Sequence, residues 1–304
     1  MSAAAAHGSV GDRITANVRR IEICSRHLGA DAFHGGVQSR FRGRGMDFDE
    51  LREYEPGDDV RAIAWNASAR TGRTFVKRYR EERQLTVLFV VDMSASSALG
   101  AGVATKREQA IEIAGVLALA ALRSDHRVGL VIFSDGVEKF VPPARGRAHV
   151  RRLVRELVAF EPTGRGTNLR EALDAIRRRQ RRRAVVVVLS DFLLPERSKD
   201  AAQRELATLA RRHDVVCIRT GDPHDRELPS VGLVTFEDVE SGEIVEVDTG
   251  DPRQRAALAR AVRETDERLR SFIRRARVDL LEVDTWKPYL GPLIGFFKAR
   301  GVRS

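Results

Sequence analysis

The chain has little of what many specialised functions require. Its 304 residues include two cysteines, Cys24 and Cys217, far apart and in no Cys-x-x-Cys pair. A disulfide framework is excluded, and a reduced, cytoplasmic setting is expected. No apolar run reaches the roughly 18 to 20 residues that a membrane span needs. The longest, Ala114 to Leu122, reads as a buried helix. The first residues lack the charged, apolar, small-residue progression of a secretory signal, so a soluble protein without a membrane span is expected. The seven histidines show no zinc-ligand spacing. Neither a Gly-x-Ser-x-Gly nucleophile elbow nor a phosphate-binding GxxxxGK[ST] loop is present. No base, nucleophile and oxyanion arrangement can be assembled, and the chain reads as a non-enzyme.

Aromatic residues are scarce, at 6%, whereas charged residues make up 32% and leave a formal net charge of +10. Such a balance fits nucleic acid, an anionic membrane or an acidic protein partner, and does not choose among them. The densest run, Arg177 to Arg183, offers two readings: a phosphate-binding patch, or a helix end whose arginines complement the helix dipole. Few aromatics interleave with the basic residues to stack on bases, so nucleic-acid binding is the alternative and not the leading expectation.

Residues 1–12 are small and polar and read as a disordered tail. In Arg13 to Leu28, Ile14, Val18, Ile21 and Leu28 recur near helical spacing. The block Ser39 to Glu82 is punctuated by turn signals at Pro56-Gly57 and Thr71-Gly72, with one strand expected over Thr74 to Arg80. Residues 13–83 are therefore taken as an N-terminal helix with a compact accessory unit, and 84–304 as the main domain. From Leu85 onward, buried strands alternate with helices. Strands are expected at Leu85 to Val91, Val128 to Phe133, Ala184 to Leu189, Val215 to Arg219 and Val278 to Val283. Helices are expected over Lys106 to Arg123, Ala148 to Phe160, Leu169 to Arg179, Asp200 to Arg212, residues 253–275 and Tyr289 to Arg300. An edge hairpin is expected over Leu233 to Val247. This alternation implies an α/β fold, a mostly parallel sheet with helices on both faces.

The organising stretch is LTVLFVVDMSASS, Leu85 to Ser97. A buried strand ends at Asp92, and Ser94 and Ser96 follow two apart, where open α/β sheets bind ligands. Asp92, Ser94 and Ser96, together with Thr167 in the loop Thr163 to Thr167 and Asp191 after the strand AVVVVL, form a set of hard oxygen groups. In this order, the set resembles the metal-ion-dependent adhesion site of von Willebrand factor type A domains. The resemblance implies a Rossmann-like sheet. It implies Mg²⁺ or Mn²⁺ held by Ser94, Ser96 and Thr167, with Asp92 and Asp191 acting mostly through water. It leaves one coordination position for a partner's carboxylate. Asp135, in Ser134-Asp135-Gly136, is a competing aspartate in a turn that the family keeps polar without binding metal.

The upstream segments Phe41 to Gly45, Phe48 to Tyr54, Pro56 to Val60, Ala69 to Gly72 and Phe75 to Tyr79 resemble the signature of the domain-of-unknown-function family 58. That family places this signature before a von Willebrand type A domain. Ala64 stands where the family usually has Asp ahead of the tryptophan, here Trp65. The resemblance implies a protein-interaction module that works with a MoxR-type AAA+ ATPase, or its client, in chaperone-like assembly.

Overall fold

The computed structural model describes residues 19, 47–55, 58, 63–80, 85–100, 104–225, 229–239 and 242–302. The expected tail, and the helix over Arg13 to Leu28 apart from Arg19, lie outside the described residues. The chain divides into two compact units, one over Arg40–Gln84 and one carrying Leu85–Ser304.

In the smaller unit, strand β1 (Asp47–Glu53) pairs antiparallel with β2 (Phe75–Arg80), and helix α1 (Trp65–Thr71) lies between them in the chain. Sequence patterning finds β2 but not β1. The register shifts between Phe48 and Glu50, which breaks the alternation that marks a strand. The helix is short and ends at Gly72, whose φ of 71° is left-handed and whose N–H bonds to the Ser68 carbonyl. Ala64 is the residue that caps this helix, and it offers no side-chain acceptor. An aspartate in the same place would accept a helix N–H, which gives the departure at this position a physical meaning.

The larger unit runs β3 (Thr86–Asp92), α2 (Lys106–Arg123), β4 (Arg127–Phe133), β5 (Val137–Ala144), α3 (Arg147–Val158), α4 (Leu169–Arg179), β6 (Val185–Ser190) and α5 (Glu196–Ala210). It continues with β7 (Asp214–Gly221), β8 (Leu233–Glu237), β9 (Ile244–Asp248), α6 (Pro252–Arg275), β10 (Asp279–Asp284) and α7 (Leu290–Val302). Six strands form one sheet in the order β10-β7-β6-β3-β4-β5. All pairs are parallel except β4 with β5. Pro142 and Pro143 fall in β5, an edge strand, where a missing N–H breaks no inner ladder.

Side chains of one strand alternate between faces. Val87, Phe89 and Val91 join a core with residues of α2, α3 and α7. Leu88 and Val90 join a second core with residues of α4, α5 and α6. Burial on both faces explains why β3 and β6 read as continuous apolar runs. The fold is thus the mostly parallel α/β sheet, helices on both faces, that the alternation predicts. α2 begins at a capping box: Thr105 Oγ1 accepts the Glu108 N–H, and Glu108 accepts the Thr105 N–H.

Two expectations differ from the structure. Helix α5 begins earlier than Asp200, at Glu196, because its first turn is charged and carries no apolar period. The hairpin β8–β9 is a separate two-stranded sheet and not an edge of the main one. Its Leu233 and Ile244 are 69% and 65% exposed. No described helix is long and apolar enough to cross a membrane.

Candidate functional site

Chain order reverses direction across the sheet between β3 and β6: from β3 the chain moves to β4 on one side, and later returns to β6 on the other. Carboxyl ends of the strands at such a switch point leave a crevice. Asp92 closes β3, and Ser190 and Asp191 close β6, so two acidic side chains meet at that place. All three are 1% exposed.

Each polar atom here has a defined role. Asp92 Oδ1 accepts the Ser94 N–H at 2.9 Å, and Oδ2 accepts the Ser190 hydroxyl at 2.6 Å. The Ser94 and Ser96 hydroxyls lie 3.1 Å apart. Asp191 Oδ1 accepts the Leu193 N–H at 3.0 Å. Phe192 between them is left-handed at φ 57°, and its N–H goes to Ser190 Oγ at 2.9 Å. That tight turn fixes the Asp191 carboxylate, whose second oxygen lies 3.0 Å from Lys106 Nζ at the start of α2.

Thr167 arrives from the loop between α3 and α4, and neighbouring strand ends hold that loop. The Ala95 N–H bonds to the Arg165 carbonyl at 2.8 Å, and the Asn168 N–H to the Ser134 carbonyl at 2.7 Å. Asp135 accepts the N–H groups of Arg165 and Gly166. Glu138 accepts the Thr163 N–H and hydroxyl at 2.7 and 2.9 Å. Gly164 passes so close to the Ser134 hydroxyl and the Asp135 carboxylate that a Cβ there would overlap both. Asp135 is thus a clamp on the loop, which accounts for an acidic residue in this turn without any metal role. Asn168 then caps α4, accepting the Glu171 N–H at 3.2 Å.

The five expected residues are therefore drawn to one end of the sheet, all of them buried. Ser96 and Thr167 both line a groove of about 1120 Å³. The groove continues past Leu193 and Leu194 to Arg170, Arg197 and Lys199, and the hairpin tip with Glu237 and Asp238 closes its far side. Burial, together with the charge of Asp191, raises the Asp92 carboxyl to about 7; hydrogen bonds from Ser190 and Ser94 offset only part of this. Among the described residues, no group of three or more His, Cys, Asp or Glu could hold a metal. The set has two carboxylates and three hydroxyls, hard oxygens that suit Mg²⁺ or Mn²⁺ and not Zn²⁺. A dication would offset the burial and the Asp191 charge that together raise Asp92, so the residues present fit such an ion.

The model for the family described as "Protein of unknown function DUF58" matches residues 50–268. The chain belongs to this family. An uncharacterized protein of Mycobacterium tuberculosis is 33% identical over 296 residues, covering 96% of this chain and 92% of that protein. Among solved structures, the conserved hypothetical protein BatB from Bacteroides thetaiotaomicron is 15% identical, with a TM-score of 0.47 over 72% of this chain and 100% of that one. The SpRpn10 VWA domain is 13% identical, with a TM-score of 0.39 over 70% of this chain and 94% of that one. The second of these neighbours is a von Willebrand type A domain.

In this DUF58 protein, patterning missed several residues of the candidate site. Ser190 is the direct partner of Asp92, and Arg107 donates to the Met93 and Ser94 carbonyls at 3.0 Å each. Lys106 lies 3.0 Å from Asp191 Oδ2 and 3.2 Å from Asp225 Oδ2. A signal for Lys106 existed: a lysine in the first turn opposes the helix dipole and calls for an acidic partner. The arginine run takes the dipole-complementing place, at the end of α4. Arg177 pairs with Glu205 at 2.7 Å, Arg178 pairs with Asp174 at 2.5 Å, and Arg179 stacks 4.6 Å from the Phe140 ring centre.

Proposed function

We propose that this protein is a non-enzymatic, cytoplasmic interaction module that holds a divalent ion, Mg²⁺ or Mn²⁺, through Asp92, Ser94, Ser96, Thr167 and Asp191. When bound, the ion supplies a Lewis-acidic position for an oxygen ligand from a partner. Ser94, Ser96 and Thr167 present their hydroxyls toward it, as the resemblance to the metal-ion-dependent adhesion site implies. Asp92 and Asp191 supply the negative charge, and their backbone and serine hydrogen bonds orient them. The partner carries an exposed acidic residue, which meets a groove of mixed charge, lined by Arg170, Arg197 and Lys199 and by Glu237, Asp238 and Glu243. The family resemblance makes a MoxR-type AAA+ ATPase, or its client, the partner to try.

The observation that carries this reading is the serine pair, 3.1 Å apart just after the buried Asp92, with Thr167 lining the same groove as Ser96. Calorimetry with Mg²⁺ and Mn²⁺, followed by pull-down of the ATPase with and without EDTA, tests it. Wild type is expected to bind the ion and the partner together, and Asp92→Ala neither. Partner binding that survives both EDTA and Asp92→Ala contradicts the reading.

A further inference from the structure

Lys106 is the first residue of α2, and its side chain is 1% exposed. Burial strips water from the ammonium, and the helix N-terminus disfavours a cation, so something must hold it there. Asp191 Oδ2 at 3.0 Å and Asp225 Oδ2 at 3.2 Å do so. The other Asp191 oxygen is already taken by the Leu193 N–H. The Asp191 carbonyl accepts from Arg219 Nε at 3.2 Å, and Arg219 in turn pairs with Asp266 at 2.6 Å. Asp191 is therefore gripped from three sides, with one of its carboxylate oxygens committed to a lysine.

We infer, resting on the metal reading above, that Lys106 is a built-in counter-cation of the site. It neutralises Asp191 when no ion is bound, so the metal-free protein keeps its fold. It also competes with the ion for that carboxylate, so affinity for the ion is held low. Two cations that share one carboxylate repel each other, and in a protein site of effective dielectric near 20 this repulsion is worth at least about tenfold in binding.

The test uses the full chain, with free Mn²⁺ followed by electron paramagnetic resonance and melting recorded in EDTA and in Mn²⁺. Lys106→Met keeps the length and removes the charge. It is expected to bind Mn²⁺ at least about tenfold more tightly than wild type. It should melt below wild type in EDTA, and Mn²⁺ should close most of that gap. Lys106→Arg, which keeps the charge, should bind Mn²⁺ nearly as wild type does. Should Lys106→Met not fold without the ion, Asp225→Asn tests the idea from the other side. Its side chain is 27% exposed, and its loss commits Lys106 to Asp191 alone. Mn²⁺ binding should then weaken by about two- to fivefold. Unchanged Mn²⁺ affinity in these variants, with equal melting losses in EDTA and in Mn²⁺, makes Lys106 a structural ion pair and overturns the inference. Wild type that binds no Mn²⁺ overturns the metal reading and this inference together, whereas wild type that binds beside an unchanged Lys106→Met overturns this inference alone.

Discussion

The two ends of the main sheet bury polar groups in different ways. At the carboxyl ends of the strands, Asp92, Asp191 and Lys106 are buried, yet every one is held by charged or hydrogen-bonding partners. At the amino ends, His213 precedes β7 and is also buried, but neither ring nitrogen has a hydrogen-bond partner among the described residues. Burial, with the charges of Arg212 and Arg183 beside it, lowers His213 to about 4, so it stays neutral. At one end the Lys106–Asp191 pair is held together by arranged partners, and at the other the histidine gives its charge up. The first needs several residues from separate loops, while the second needs only a hydrophobic setting. Buried charge with organised partners makes the first end the candidate site, and the buried neutral histidine is a packing residue.

Mutations can break this contrast or sharpen it. The largest stability change is expected from Val90→Ala, in the strand between the two ends. It removes fully buried methyl groups and should cost about 1–4 kcal/mol, while Mn²⁺ binding by the folded fraction stays intact. Loss of ion binding in step with stability would mean that the site and the core are not separable.

Next come opposite pH dependences in overlapping windows. The folded-state value of Asp92 is raised from 3.8 to about 7, so the native state binds the extra proton. Its contribution is therefore present below about 4 and lost as pH rises to about 7. In EDTA, Asp92→Asn should outmelt wild type by a margin that widens over this range. A margin that does not change with pH would show that Asp92 is ionised throughout.

His213 has the reverse sign. Its value falls from 6.5 to about 4, so the unfolded chain binds the extra proton, and stability is lost as pH falls through this window. His213→Phe should relieve that loss, by about 1–3 kcal/mol at the acid end, and should leave ion binding unaltered. Melting from pH 4 to 7 checks both variants against each other. The smallest effect is expected in the arginine run that leads into β6. Arg178, Arg181 and Arg182 replaced together by Gln should cost a few tenths to about 1 kcal/mol per charge, with partner binding unchanged. A tenfold loss of partner binding would make this end of the sheet functional as well.

Much was legible without coordinates because it is local. The apolar runs of β3 and β6, the helix Lys106–Arg123 and the cap at Asn168 follow from periodicity and the hydrogen-bonding habits of single side chains. Asp92, Ser94 and Ser96 belong together because they share one turn. Thr167 and Asp191 join them through the resemblance to the adhesion-site motif order, and not through the physics of the chain itself. Strand β1 escaped because a bulge spoils its alternation. Lys106 with Asp191 and Asp225, Ser190 with Asp92, and the clamp of Asp135 on Gly166 were decided only by tertiary structure. Burial on both faces of a parallel sheet is a property of one stretch of sequence, and hydrophobicity records it there. Which buried charge faces which depends on strand order and on the turns that aim each carboxylate, and those are set by packing across the whole domain.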